Sequence, residues 1–125
     1  MILPVASEFL APARSIDGFL LGCLVDGSTG MLLASLRDEG APDPPTAAAG
    51  AADVANVLAL LGGRLASGEL LEDVTITFSD NFFMIRPIRG DTGSRLLLLV
   101  VLDRRRTNLA LAHRSLRDMC AGYSA

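Results

Sequence analysis

Leu71–Leu102 reads LEDVTITFSDNFFMIRPIRGDTGSRLLLLVVL. Val74-Thr75-Ile76-Thr77-Phe78 alternates, with Val74, Ile76 and Phe78 on one face and the threonines on the other, which is the mark of a half-covered strand. Ser79–Asn81 supplies a tight turn into Phe82–Ile88. Neighbours on a strand point to opposite faces, so only one of Phe82 and Phe83 enters a given layer. Pro87 lacks a ladder donor and predicts a strand end or a bulge. Arg89–Ser94, RGDTGS, is a second turn, and its Arg-Gly-Asp is read as turn chemistry. Leu96–Leu102 is apolar at every position, which predicts a central strand covered on both faces. Hairpin connections make such neighbours antiparallel.

Upstream, FLLGCLVD (Phe19–Asp26) and MLLASLR (Met31–Arg37) flank the turn Gly27-Ser28-Thr29-Gly30 and read as a hairpin. Asp38–Thr46, with its three prolines and three acids, reads as a loop. Ala47 to about Ala66 is the main helix, with Thr46 as N-cap and Gly68 just past its end. Ala51, Val54, Leu58, Leu61 and Leu65 recur at helical spacing as one buried face. A second strip, Asp53, Val57, Leu60 and Arg64, runs beside it and carries the only charges of the helix. A helix apolar on two sides is expected to be buried on two sides, which points to oligomerisation. Ser7 is placed as the cap of a short first helix carrying Phe9 and Leu10, limited by Pro12. A closing helix from about Arg105 to Ala121 turns Leu109, Ala112, Leu116 and Met119 inward, with Asp103, Thr107 and Asn108 as candidate caps. The order α-β-β-α-β-β-β-α is that of an α+β fold with helices covering an antiparallel sheet.

The 125 residues are expected to form a single domain, 1–125. A net charge of −3 argues against a general nucleic-acid binder. All eleven basic residues are Arg, and without Lys there is no Walker-type phosphate loop, Schiff-base nucleophile or Ser-x-x-Lys pair. His113 is the only histidine, and Cys23 and Cys120 lack C-x-x-C spacing, so neither metal site nor cofactor is expected. Cys23 reads as a small buried hydrophobe. A triad of His113, Ser115 and Asp118 fails because helix positions two apart do not face each other. Arg104, Arg105, Arg106, Arg114 and Arg117 read as a solvated helix face, ahead of a contact for an acidic protein. Leu96–Leu102 and the segment around Val54–Leu61 are read as too short or too interrupted to span a bilayer. No signal peptide is recognised. A reduced, cytoplasmic protein that binds other proteins, and not an enzyme, fits these features best.

The stretches Ile16–Ser35 and Leu71–Ile88, the Ala-rich central helix, and Leu96–Met119 together resemble the Roadblock/LC7 family of dynein-light-chain-like and GTPase-associated proteins. The resemblance covers about residues 16–119, and its compact Arg- and Ala-rich style looks actinobacterial. It implies a roadblock/profilin-like five-stranded antiparallel sheet in the order 2-1-5-4-3, with Leu96–Leu102 in the middle and Val74–Phe78 at an edge. It also implies a homodimer joined across that edge and through the central helices; on that basis Asp53, Val57, Leu60, Arg64, Thr75 and Thr77 are read as interface positions. If antiparallel helices cross on a two-fold axis midway between Leu58 and Ala59, Val57 meets Leu60 and Asp53 meets Arg64 of the second copy. The partners implied are a small Ras-like GTPase and a sensor-kinase-like protein, in bacterial signalling. A small-ligand sensor or a self-assembling scaffold on a profilin-like fold is the alternative.

Overall fold

The computed structural model describes residues 3–65, 70–88 and 95–124. In chain order these form α1 (Leu3–Leu10), a 3-10 turn (Ala11–Ser15), β1 (Phe19–Asp26), β2 (Leu32–Arg37), α2 (Pro44–Leu65), β3 (Val74–Thr77), β4 (Asn81–Ile88), β5 (Leu96–Asp103), a second 3-10 turn (Arg104–Arg106) and α3 (Leu109–Ser124). The strands make one antiparallel sheet in the order β2-β1-β5-β4-β3. The RGDTGS turn and Gly68 lie outside the described residues.

β5 is the axis of the molecule. Leu97 through Leu102 are all buried, as an uninterrupted apolar run requires. Its alternate side chains feed two cores. Leu98, Val100 and Leu102 join Phe19, Phe82, Met84 and the inner faces of α1 and α3. Leu97, Leu99 and Val101 join Leu21, Cys23, Val25, Ile85 and the alanines of α2. The adjacent phenylalanines divide as their neighbouring positions dictate, with Phe82 in the α1/α3 layer and Phe83 in the α2 layer.

The local signals hold in the first hairpin. The Asp26 carboxylate accepts from Ser28 N at 2.9 Å, and Gly30 turns the chain at φ +79°. β2 pairs with β1 through a register shift at Leu24/Val25. The candidate caps before α3 take separate roles. The Asp103 carboxylate caps the Arg104–Arg106 turn, and Asn108 Oδ1 accepts from Leu111 N at 3.1 Å. The Thr107 hydroxyl is shared between the carbonyls of Asp17 (3.0 Å) and Asp103 (2.7 Å).

Four local expectations are corrected. Ser7 lies inside α1, which begins at Leu3; Pro12 ends the α-helix at Leu10, and the chain continues as a 3-10 turn. Pro44 and Pro45 open α2 instead of closing a loop. A first-turn proline loses no helical hydrogen bond, because its N–H has no partner there in any case. The cap is therefore Asp43 and not Thr46. Asp43 Oδ2 accepts from Thr46 N at 3.2 Å and from its hydroxyl at 2.6 Å, and these bonds hold the carboxyl below its ordinary pKa. Pro87 neither ends nor bulges β4, which pairs in register with β5 to Ile88. The β3 pairing stops at Ile85, so Pro87 has a strand on one side only.

The face by which α2 meets the sheet is only partly the expected one: Ala51 is buried and Val54 packs against the same core, but the leucines do not follow. Ala48, Ala51, Ala52 and Ala55 are buried, whereas Val54 and Leu58 are half-buried and Leu61 and Leu65 are exposed. Small side chains let the helix axis approach the sheet closely; the larger ones lie round the helix from it. At 22 residues, α2 is also long and apolar enough, by length and composition alone, to cross a membrane, which corrects the reading of this segment as too short or too interrupted. In the fold its alanines instead cover one face of the sheet.

Candidate interaction surface

Ala47, Gly50, Val54, Leu58, Leu61 and Leu65 recur three or four residues apart and form one strip along α2. This strip lies beside the alanines that touch the sheet. At its N-terminal end it borders an apolar groove of about 300 Å³ between α2 and the β3–β4 side of the sheet. Gly50 and Val54 form one wall, Ile76, Phe78 and Phe83 the other, and Asp43 and Thr46 stand on the rim. Phe78 packs edge-on against Phe83, with ring centroids 5.2 Å apart, yet remains half-exposed. At its C-terminal end the same strip projects Leu61 and Leu65, which are 49% and 74% exposed.

Asp53, Leu60 and Arg64 lie roughly a quarter turn further round the helix, on the side away from the sheet. Val57 sits between them and the strip, and Val57 and Leu60 are each 64% exposed. The structure thus brings Asp53, Val57, Leu60 and Arg64 together on one outward surface. Thr77 is exposed on β3, whereas Thr75 is half-buried and its Oγ1 lies 3.2 Å from His113 Nε2 on α3. Among the described residues nothing pairs the outer side of β3, so its backbone is an open edge.

With this geometry in view, three solved structures align over most of the chain. The gliding protein MglB from Thermus thermophilus superposes with a TM-score of 0.75 at 20% identity, over 92% of this chain and 82% of that one. A Roadblock/LC7 domain from Streptomyces avermitilis gives 0.76 at 14% identity, over 92% and 91%. An MglB with a tetrameric arrangement gives 0.79 at 19% identity, over 97% and 86%. The fold is of the Roadblock/LC7 type. No protein-family model matches the chain, and no curated protein matches it by sequence.

Within this Roadblock/LC7-type fold the other singled-out residues take structural places. Cys23 is fully buried, and desolvation pushes its thiol up to about 12. Burial likewise raises Cys120, against the opposing pull of Arg86. His113 faces Thr75 across the layer, while Ser115 lines a separate cleft of about 220 Å³ between the first 3-10 turn and α3. The Arg cluster is divided. Arg104 donates to the Phe78 carbonyl at 3.2 Å and stacks over Phe82, and Arg106 pairs with Asp103 at 3.2 Å. Arg105, Arg114 and Arg117 are exposed. Among the described residues no three of His, Cys, Asp and Glu converge, and no polar or charged side chain is buried.

The groove is the feature that the sequence reading missed. Its nearest sequence signal is the change of side-chain size along one strip of α2, from Ala47 and Gly50 to Leu61 and Leu65.

Proposed function

We propose that this chain is a non-catalytic, homodimeric adaptor that binds and regulates a small Ras-like GTPase. The observation that carries the proposal is the outer surface of α2. Val57, Leu60, Leu61 and Leu65 stand exposed on a helix whose remaining apolar face is already spent on the sheet. Large clustered apolar side chains of this kind mark a protein-contact surface. It lies beside an open strand edge, on a fold whose resemblance implies GTPase association.

In the dimer, two copies of α2 pack antiparallel and the β3 edges meet. Val57 and Leu60 of both copies gather near the two-fold axis on the side away from the sheet, with Asp53 of one copy near Arg64 of the other. This apolar patch with a charged rim is the surface offered to the GTPase. Binding there acts on nucleotide hydrolysis by positioning the GTPase's own residues.

The test is an affinity capture from the native lysate, run with GDP and with a non-hydrolysable GTP analogue, for the wild-type chain and for Leu60→Asp. The expected outcome is a small GTPase retained in one nucleotide state by the wild type and lost with Leu60→Asp. No GTPase in either state overturns the reading.

The groove also favours a second reading, a sensor for a small apolar ligand, since its size is within the range of ligand pockets. Thermal stabilisation of the wild-type protein by a metabolite, with its self-association abolished, would establish that reading in place of the first.

A further inference from the structure

We infer that the groove beside Gly50 is the seat for Leu61 and Leu65 of a second copy, and that Gly50 determines which chains this one can pair with. The inference rests on the dimer proposed above and names the side chains that close it.

It begins with a glycine that the protomer does not need. Gly50 sits in the interior of α2, where glycine weakens a helix relative to alanine. Its φ is not positive, so no turn requires it. A Cβ added there would meet no atom within 4 Å, so no close packing inside the protomer requires it either. Gly30 makes the contrast, because it turns a hairpin at positive φ and lies against Ala49. Gly63 is equally open, but it lies in the last turn of the helix and does not line the groove. The room left by Gly50 therefore opens outward, into the groove.

The second observation is the gradient of size along the strip. Its N-terminal end is small and recessed at Ala47 and Gly50, and its C-terminal end is large and projecting at Leu61 and Leu65. An antiparallel two-fold pairing lays each end on the opposite end of the other copy. With Leu61 opposite Val54, Leu65 falls opposite Gly50, and Asp53 falls opposite Gly62, two positions (~3 Å along the axis) from Arg64, within reach of a long arginine side chain. These are the only two ionisable side chains of α2, and they carry opposite charge. Knobs and notches therefore match in one register, with the rim charges within two positions of each other. A parallel pairing would set leucine against leucine over an unfilled groove.

A second copy is thus the occupant that the groove fits. A related chain with a larger side chain at the position of Gly50 would be excluded, because its notch would already be full.

The test measures self-association by sedimentation over a concentration series, for the wild type, Gly50→Leu, Leu65→Asp and the size swap Gly50→Leu with Leu65→Ala. The expected result is a wild-type dimer that Gly50→Leu and Leu65→Asp each weaken about 30-fold or more. The protomers should keep an unchanged far-ultraviolet spectrum, since both positions are open in the protomer. The size swap should regain at least about tenfold, which a purely local effect on the helix would not produce. A Gly50→Leu dimer as tight as the wild type overturns the inference and leaves the dimer reading standing. A wild-type chain that stays monomeric throughout overturns both. Should Gly50→Leu fail to fold, Leu65→Asp decides alone, since an undiminished dimer in that variant overturns the seat.

Discussion

The two halves of α2 have nearly the same apolar content and opposite surroundings. From Pro44 to Ala55 the helix turns Ala48, Ala51, Ala52 and Ala55 inward, and the sheet covers them. From Asn56 to Leu65 it presents Val57, Leu58, Leu60, Leu61 and Leu65, and little of the protomer covers them. In a protein interior packed to crystalline density, what decides burial is fit, not hydrophobicity alone. Alanine permits the close approach that completes the sheet's layer. Leucine in the second half adds apolar surface that the protomer leaves in water, so the gain of roughly 25 cal/mol for each Å² buried is not realised within the protomer.

One substitution made in both halves gives the sharpest break of this comparison. Ala52 is 2% exposed, so Ala52→Asp places an unpaired charge against the sheet. A loss of about 3–5 kcal/mol is expected, a large part of the stability of a chain this size. Chemical denaturation should show it as a fall in midpoint or as an unfolded protein. Leu61→Asp puts the same carboxylate on the same helix where water already reaches. Its protomer should stay within about 0.5 kcal/mol of wild type, while the proposed dimer weakens at least about tenfold. Equal losses of protomer stability at both positions would show that the second half belongs to the core after all.

The contrast also explains what could be read from the chain. The alternation of Val74–Phe78 and the unbroken run of Leu96–Leu102 are local patterns with one structural solution, and the strands appear where those patterns place them. The strand order was implied by the family resemblance, not by any spacing. The inner face of α2 was assigned to its largest apolar residues because hydrophobicity is visible in a sequence and closeness of approach is not. The start of α2 was misplaced for a related reason. Pro44 and Pro45 signal a loop or a first helical turn equally well, and the deciding partner is Asp43 with its bonds to Thr46. The groove is a space between elements, defined by what fails to fill it, so no single residue announces it. The Thr75–His113 contact joins positions 38 apart in sequence, beyond the reach of any local pattern.

The cap on the buried half provides a smaller effect with a definite pH dependence. The hydrogen bonds from Thr46 lower the Asp43 pKa in the folded state. Its contribution is therefore present above the unfolded carboxyl's pKa and is lost as pH falls through the folded value. Asp43→Ala should lower the melting temperature at neutral pH, by less than Ala52→Asp does. The gap between Asp43→Ala and wild type should close on acidification. A gap that stays constant from pH 7 to well below the ordinary carboxylate range would show that the side chain acts by packing and not by charge.

The smallest expected effect lies on the rim of the uncovered half. Asp53 and Arg64 are exposed, so any bond between copies is screened by solvent and worth little, about a two- to fivefold change in dimer affinity. Sign still makes it informative. Asp53→Arg should weaken the dimer slightly at low salt and less at high salt, because it sets like charges together. Arg64→Asp alone should do the same, and the double swap should return to wild type. Such a cycle isolates the pair from every other contact of the two side chains. Additive losses in the double swap would place Asp53 and Arg64 apart in the dimer and shift the register of the two helices. The leucines would then meet different notches, and the match of Leu65 to Gly50 would fail with it.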